Sequence, residues 1–83
     1  MDILEEVDFE DDYSVMNAID LCSSDLLEGT NEKGEITIVS IEQGEGIRVT
    51  TFQYNGWIRI NDYDLVHDDF GNLELVRSER YEK

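Results

Sequence analysis

The sequence contains, at residues 47–66, the stretch IRVTTFQYNGWIRINDYDLV. Both halves of this stretch are rich in β-branched and aromatic residues, which favour strands. Between the halves lies Asn55-Gly56, and Asn-Gly flanked by strand-like segments is the strongest local signal for a tight hairpin turn. We therefore predict two antiparallel strands joined by a turn around Tyr54–Gly56.

Strand-like segments also lie on both sides of this hairpin. Residues 35–41 alternate between the two sides of a strand, and the two glycines of residues 43–46 are typical of a turn. A further turn at residues 68–72 precedes a last strand-like segment at residues 73–81. No proline interrupts these segments, so no strand lacks a backbone donor. The pattern predicts a four-stranded antiparallel meander over residues 35–81.

The segment before the sheet has helical periodicity. Apolar residues from Val15 to Leu26 recur at the spacing of one helix face, and Cys22 falls on that face. Ser14 is placed to cap the first turn, and Gly29 is a typical stop. We predict a helix over residues 14–28 that covers one face of the sheet. The expected fold is α+β, in a single domain over residues 1–83.

The balance of charge is extreme. The chain has 21 acidic residues against six Lys and Arg, a net charge of −15, whereas a magnitude of about 2–8 is ample for the solubility of a small domain. Residues 1–34 hold eleven acids and one lysine, and residues 35–83 hold ten acids and five bases. A merely solvated surface explains only part of this excess. So negative a chain should avoid nucleic acid and anionic membranes and associate with basic proteins.

Two segments concentrate the acidic residues. Residues 1–13 interleave carboxylates with Ile3, Leu4, Val7 and Phe9, so we expect part of this acidic N-terminal segment to dock with its carboxylates outward. A smaller cluster surrounds the last hairpin, where residues 62 and 64 share one strand face. The residues predicted to bind a partner are Asp2, Glu5, Glu6, Asp8, Glu10, Asp11, Asp12, Asp20, Asp25, Glu28, Asp62, Asp64, Asp68 and Asp69.

Catalytic and metal-binding patterns are missing from the sequence. The acids around the last hairpin do not follow the ligand spacing of a calcium-binding EF-hand loop, because positions starting at Asp62 or Asp68 place Val66 or Phe70 where ligands belong. Cys22 and His67 form no recognisable nucleophilic or zinc motif, and Cys22 is expected in the core. We predict neither an enzyme nor a metal site or cofactor.

Location is predicted from what the chain does not contain. No apolar run approaches the roughly 20 residues that span a bilayer, and the acidic first dozen residues are unlike a signal peptide. We therefore expect a cytoplasmic protein, in the host cytoplasm if a virus or plasmid encodes it.

In size and charge the whole chain is similar to small acidic inhibitors carried by mobile elements, which include viral DNA mimics, anti-CRISPR proteins and nuclease immunity proteins. This similarity implies an inhibitor of anti-CRISPR or anti-restriction type, from a phage or other mobile element, that binds the basic nucleic-acid-binding cleft of a host defence or repair protein. The first alternative is an immunity protein against a basic nuclease toxin. The second is a structural or assembly adaptor that binds through its sheet edge and exposed aromatics. Of the two aromatic residues beside the Asn-Gly turn, Trp57 is expected in the core, and Tyr54 is equally compatible with the core and with an exposed position.

Overall fold

A computed structural model describes residues 7–21 and 25–83. The strands form a single antiparallel sheet in which each strand pairs with its successor in the chain. The α+β class and the antiparallel meander are confirmed, but the sheet has five strands where four were predicted. The elements are α1 (Asp12–Leu21), β1 (Asp25–Thr30), β2 (Ile36–Glu42), β3 (Gly46–Phe52), β4 (Ile58–His67) and β5 (Leu73–Glu82).

The predicted helix over residues 14–28 is wrong in its second half. The helix ends at Leu21, and residues 25–30 form β1. Leu27 pairs with Val39 and packs on the core, whereas Leu26 is 67% exposed on the other side of the strand. Acidic residues near a helix C-terminus oppose its dipole, and as a strand the segment pairs the backbone groups on one of its edges with β2 along its whole length. The predicted core position of Cys22 lies outside the described residues.

The start of α1 also differs from the prediction. The side-chain Oδ1 of Asp11 accepts a hydrogen bond from the N–H of Tyr13 at 3.1 Å, and its carbonyl accepts one from the N–H of Val15 at 3.2 Å. Asp11 therefore caps the helix. Ser14, the predicted cap, instead accepts a hydrogen bond from the N–H of Asp8 at 2.9 Å.

The core lies between α1 and one face of the sheet. Val15 and Ile19 of the helix are fully buried and pack with Val39, Ile47 and their neighbours. Because side chains alternate along a strand, every second residue points away from α1. We call this opposite side the open face, since no described helix or strand packs on it.

Candidate partner-binding surfaces

The two ends of the sheet differ in charge. One end bears the β2–β3 and β4–β5 turns, and the hydrogen bond from the N–H of Gly44 to the carbonyl of Ile19, at 2.9 Å, brings the end of α1 to the same place. The strand register places the first residue of β1 and the last residues of β2 at this end as well. We call this region the acidic end. Its eight carboxylates are Asp20, Asp25, Glu42, Glu45, Asp64, Asp68, Asp69 and Glu74.

The basic residues lie elsewhere or are already paired. All six Lys and Arg belong to the described part of the chain. Arg48 borders the acidic end, but its Nε lies 2.7 Å from Oδ1 of Asp62. Arg77 lies near the middle of β5 and forms an ion pair with Asp12. The other four lie towards the opposite end of the sheet: Lys33, Arg59, Arg80 and Lys83.

A depression of about 270 Å³ opens at the acidic end on the open face. Gly46 lines this depression, and a larger residue does not fit there, because a Cβ would lie 2.6 Å from the carbonyl oxygen of Tyr63 and 2.8 Å from Oδ1 of Asp64. Glu42 on β2 and Asp64 on β4 are the two cross-strand partners of Gly46, and Glu45 precedes Gly46 in the chain. These three carboxylates are exposed and form no ion pair or hydrogen bond with any described residue.

Glu42 and Glu45 were missed as site residues by the sequence reasoning. They are about 20 residues from Asp64 in the chain, and only the antiparallel register of β2, β3 and β4 brings them together. Neither residue belongs to a dense acidic run. A signal was present in the sequence: pairing the predicted strands on either side of the glycine turn at residues 43–46 would have placed these two glutamates together.

Asp62 and Asp64 share the open face as predicted, but their surroundings differ. Asp62 is only 14% exposed at its side chain and accepts hydrogen bonds from Nε and Nη2 of Arg48 at 2.7 and 3.3 Å. Nη1 of Arg80 lies 3.7 Å from Oδ2 of Asp62, the oxygen that also accepts from Nη2 of Arg48. The Asp62 carboxylate raises the pKa of Arg48, by its hydrogen bond first and its charge second. Asp62 is therefore neutralised within the sheet, and Asp64 is the member of the pair that faces solvent.

Asp68 and Asp69 lie in the β4–β5 turn with different roles. Oδ1 of Asp68 accepts hydrogen bonds from the backbone N–H of Asn72 at 2.8 Å and of Phe70 at 2.9 Å. These hydrogen bonds, that of Asn72 above all, hold the pKa of Asp68 below its ordinary value. Asp68 thus shapes the turn, and Asp69 beside it is exposed without a described partner.

The described part of the N-terminal acidic segment, residues 7–13, lies on the core side of the sheet, where Val7 and Phe9 pack on the core. Asp2, Glu5 and Glu6 fall outside the described residues. Arg77 binds the segment to β5, because its Nε donates to Oδ1 of Asp12 at 3.1 Å and its Nη1 donates to the carbonyl of Phe9. The Phe9 ring lies 5.2 Å from the ring of Tyr63, which confirms that part of the segment docks. The carboxylates of Asp8, Glu10 and Asp11 remain exposed.

Three further predicted binding residues, Asp20, Asp25 and Glu28, lie in two different regions. Asp20 and Asp25 belong to the acidic end, since Gln43 donates to the carbonyl of Asp20 and Asp25 pairs with Ile41. Glu28 lies further along β1, opposite Ile38. It faces solvent on the open face.

An apolar patch occupies the half of the open face away from the acidic end. Ile36, Phe52 and Ile58 are direct cross-strand neighbours on β2, β3 and β4. Ile38 and Ile60 lie in the next row, separated by Thr50. Ile36 is 50% and Phe52 41% exposed, whereas Ile60 is buried. We call Ile36, Ile38, Phe52, Ile58 and Ile60 the apolar patch.

Two aromatic residues near the Asn-Gly turn are exposed. Trp57 was expected in the core but is 41% exposed, with Nζ of Lys83 lying 5.1 Å from the centre of one of its rings. It lies just before β4, outside the area that α1 covers, which is why the core does not bury it. Tyr54 is also exposed, and its hydroxyl donates to the carbonyl of Lys33 at 3.0 Å.

No family model, curated protein or solved structure matches this chain. Within residues 7–21 and 25–83, no group of three or more His, Cys, Asp or Glu side chains is arranged to hold a metal ion. The helix in the described part of the chain is too short to cross a membrane.

Proposed function

We propose that this protein is an inhibitor that occupies the basic nucleic-acid-binding cleft of a host defence or repair protein and presents carboxylates where phosphates would bind. One observation carries the proposal: eight carboxylates share the acidic end, and every Lys and Arg of the chain either lies elsewhere or is paired with an aspartate. The protein acts by binding rather than by catalysis, in the cytoplasm of the cell that a phage or other mobile element enters.

The acidic end suits this role because several of its carboxylates have unused hydrogen-bonding capacity. Glu42, Glu45 and Asp64 contact no described donor. Each can therefore accept hydrogen bonds from arginine or lysine, and such charge-assisted bonds are roughly twice as strong as neutral ones. Duplex DNA offers one negative charge per about 1.7 Å of its axis. Dense carboxylates on one end of a small domain compete for the same cations and speed association with them.

Two other functions use features of the same molecule. An immunity protein that neutralises a basic nuclease toxin would use the acidic end in the same way, and a toxin gene beside this gene would favour it. A structural or assembly adaptor would instead use exposed apolar and aromatic side chains, such as Phe52 and Trp57. The acidic end favours the first two functions, because an adaptor does not need so many unpaired carboxylates.

The proposal is tested by capturing partners from host lysate with the tagged full-length chain. At about 0.05 M NaCl we expect a nucleic-acid-binding protein to be retained, and at about 0.5 M NaCl we expect it to be lost, because screening weakens contacts between exposed charges. Added duplex DNA should release the same protein at low salt. Capture that resists both salt and duplex DNA would overturn the proposal.

Matched variants locate the binding surface. The triple substitution E42Q/E45Q/D64N removes three charges from the acidic end, and E10Q/E32Q/E79Q removes three exposed charges from other places. The two variants have equal net charge, each three units less negative than the wild type. We expect the first variant to weaken capture by about tenfold or more and the second by less than about threefold. Equal losses would show that net charge alone, and not the acidic end, determines binding.

A further inference from the structure

Among residues 7–21 and 25–83, no element covers the open face in the way that α1 covers the other face. A sheet with apolar side chains on one side is normally covered by a helix or another sheet, and α1 supplies that cover for Val39 and Ile47 only on its own side. On the open face, Ile36 and Phe52 remain about half exposed. They lie in one cross-strand row with Ile58, so their exposed surfaces are continuous. Continuous exposed apolar surface of this kind marks sites of association.

The charges around the apolar patch identify the kind of partner. Six acidic residues of the five strands lie on the open face, against two arginines, Arg48 and Arg80, which both lie within 4 Å of Asp62. A second copy of this chain would bring the same negative charges and be repelled. A positively charged partner would be attracted. The six acidic residues are Glu28, Glu42, Asp62, Asp64, Glu74 and Glu82.

We propose that the apolar patch docks an amphipathic helix of the partner protein, with an apolar stripe against Ile36, Phe52 and Ile58 and lysine or arginine beside it. A helix is the element that α1 already places on the other face of this sheet, and helices commonly bind through side chains at positions i, i+3, i+4 and i+7. The patch crosses two strand spacings, roughly 10 Å. Two turns of a helix rise about 11 Å, which matches this width.

This inference rests on the proposed function, because it takes its partner to be the same basic protein. The acidic end then supplies most of the affinity and the fast association, so capture is still lost at high salt, and the apolar patch adds a smaller contribution that orients the partner. Glu28 of β1 is the cross-strand partner of Ile38, so a carboxylate borders the apolar patch on its β1 side. A helix with basic residues on one flank would meet Glu28 there.

A synthetic peptide tests the docking surface without the natural partner. The probe is a helical peptide of leucine and lysine in which the two residues occupy opposite faces, and the control peptide has the same composition in scrambled order. Isotope-labelled full-length protein is titrated with each peptide, amide shifts are followed by NMR, and affinity is measured by calorimetry. We expect the segregated peptide to bind at least about tenfold tighter and to shift amides of β2, β3 and β4 around the patch.

Substitutions in the patch provide the second arm. I36T/F52T removes two exposed apolar side chains and introduces residues that strands favour, and F70S removes a 90%-exposed phenylalanine from the β4–β5 turn. We expect the first variant to lose about tenfold in affinity for the segregated peptide and the second less than about twofold. I36K serves if the double variant does not fold, because a lysine at this half-exposed site repels a basic helix.

Three results would overturn the inference. The first is equal affinity for the segregated and scrambled peptides. The second is a set of shifted amides confined to the acidic end or to the α1 side. The third is a dimer in sedimentation that I36T/F52T dissociates, since a second copy would then be the occupant. Capture from lysate that resists both salt and duplex DNA would overturn the proposed function alone, because the peptide measurements contain no nucleic-acid-binding protein.

Discussion

Oε2 of Glu35 accepts a hydrogen bond from the backbone N–H of Tyr54 at 3.0 Å, which joins the β1–β2 turn to the β3–β4 turn. Oε1 of the same carboxylate accepts a hydrogen bond from Nδ2 of Asn31 at 2.9 Å. The Tyr54 hydroxyl completes the link by donating to the carbonyl of Lys33. Glu35 is only 5% exposed. This buried carboxylate is satisfied by neutral donors and fixes the end of the sheet opposite the acidic end.

Replacing Glu35 with alanine should destabilise the protein, because the N–H of Tyr54 and the amide of Asn31 would lose their acceptor. Leaving buried polar groups without partners is costly, and for a domain of this size we expect the melting temperature to fall by about 5–10 °C. Thermal unfolding followed by circular dichroism measures the change. Glu32→Ala is the control, since Glu32 is exposed without a described partner. A similar melting temperature for both variants would contradict the structural role of Glu35.

The stabilisation by Glu35 should depend on pH in a defined direction. Hydrogen bonds from the side chain of Asn31 and the backbone of Tyr54 lower the pKa of Glu35 below its ordinary value of 4.5. A group whose pKa is lower in the folded state stabilises the fold fully above its unfolded pKa and loses that contribution as the pH falls through the folded pKa. The difference in unfolding free energy between wild type and E35Q should therefore shrink below pH 4.5.

Urea unfolding of the two proteins across the acid range measures this difference. The exposed carboxylates titrate in both proteins, so their shared effect cancels in the comparison. A difference that stays constant down to pH values far below 4.5 would contradict the lowered pKa.

Strands β2 to β5 could be predicted because their signals are local. Gly56 has a φ of +90° and follows Asn55, so the turn between β3 and β4 is encoded by two adjacent residues. Strand β1 could not be predicted in this way. Leu26 and Leu27 fit a helix stripe as well as a strand, and pairing of Leu27 with Val39 on the free edge of β2 decides between them. That contact joins residues distant in sequence.

The candidate site was predictable in part for the same reason. Asp64 and Asp69 belong to a dense acidic cluster in the sequence and do face solvent at the acidic end. Glu42 and Glu45 reach Asp64 only through the register of three strands. The neutralisation of Asp62 was equally hidden, since it depends on Arg48 being the direct cross-strand partner.

The Arg48–Asp62 pair should contribute modestly to stability and in a salt-dependent way. Arg48 is half exposed, and a partly exposed ion pair is worth about 0.2–1 kcal/mol. A double-mutant cycle with R48A and D62A isolates the coupling energy, which should lie in this range and fall as NaCl is raised. The second arginine near Asp62, Arg80, stays in place throughout the cycle. A coupling that is unchanged by salt would contradict a partly exposed pair.

The acidic end should reduce the stability of the free protein. Glu42 and Asp64 lie on either side of Gly46, two strand spacings or roughly 10 Å apart. Their repulsion is barely screened at about 0.01 M salt, where the Debye length is about 30 Å, and largely screened at about 1 M, where it is about 3 Å. We therefore expect NaCl to raise the melting temperature of the wild type and E42Q/E45Q/D64N to melt higher than the wild type at low salt.

The dispersed variant E10Q/E32Q/E79Q tests whether the crowding of charge or the total charge matters, because both triple variants have the same net charge. If crowding at the acidic end is what costs stability, E42Q/E45Q/D64N should gain more than the dispersed variant at low salt, and the two gains should converge at high salt as screening removes the repulsion. Scanning calorimetry across a salt series measures both gains. Equal gains at low salt would show that the carboxylates of the acidic end do not repel one another more than those elsewhere. A larger gain for E42Q/E45Q/D64N, together with its weaker capture of a basic partner, would mean that the same three carboxylates destabilise the free protein and stabilise its complex.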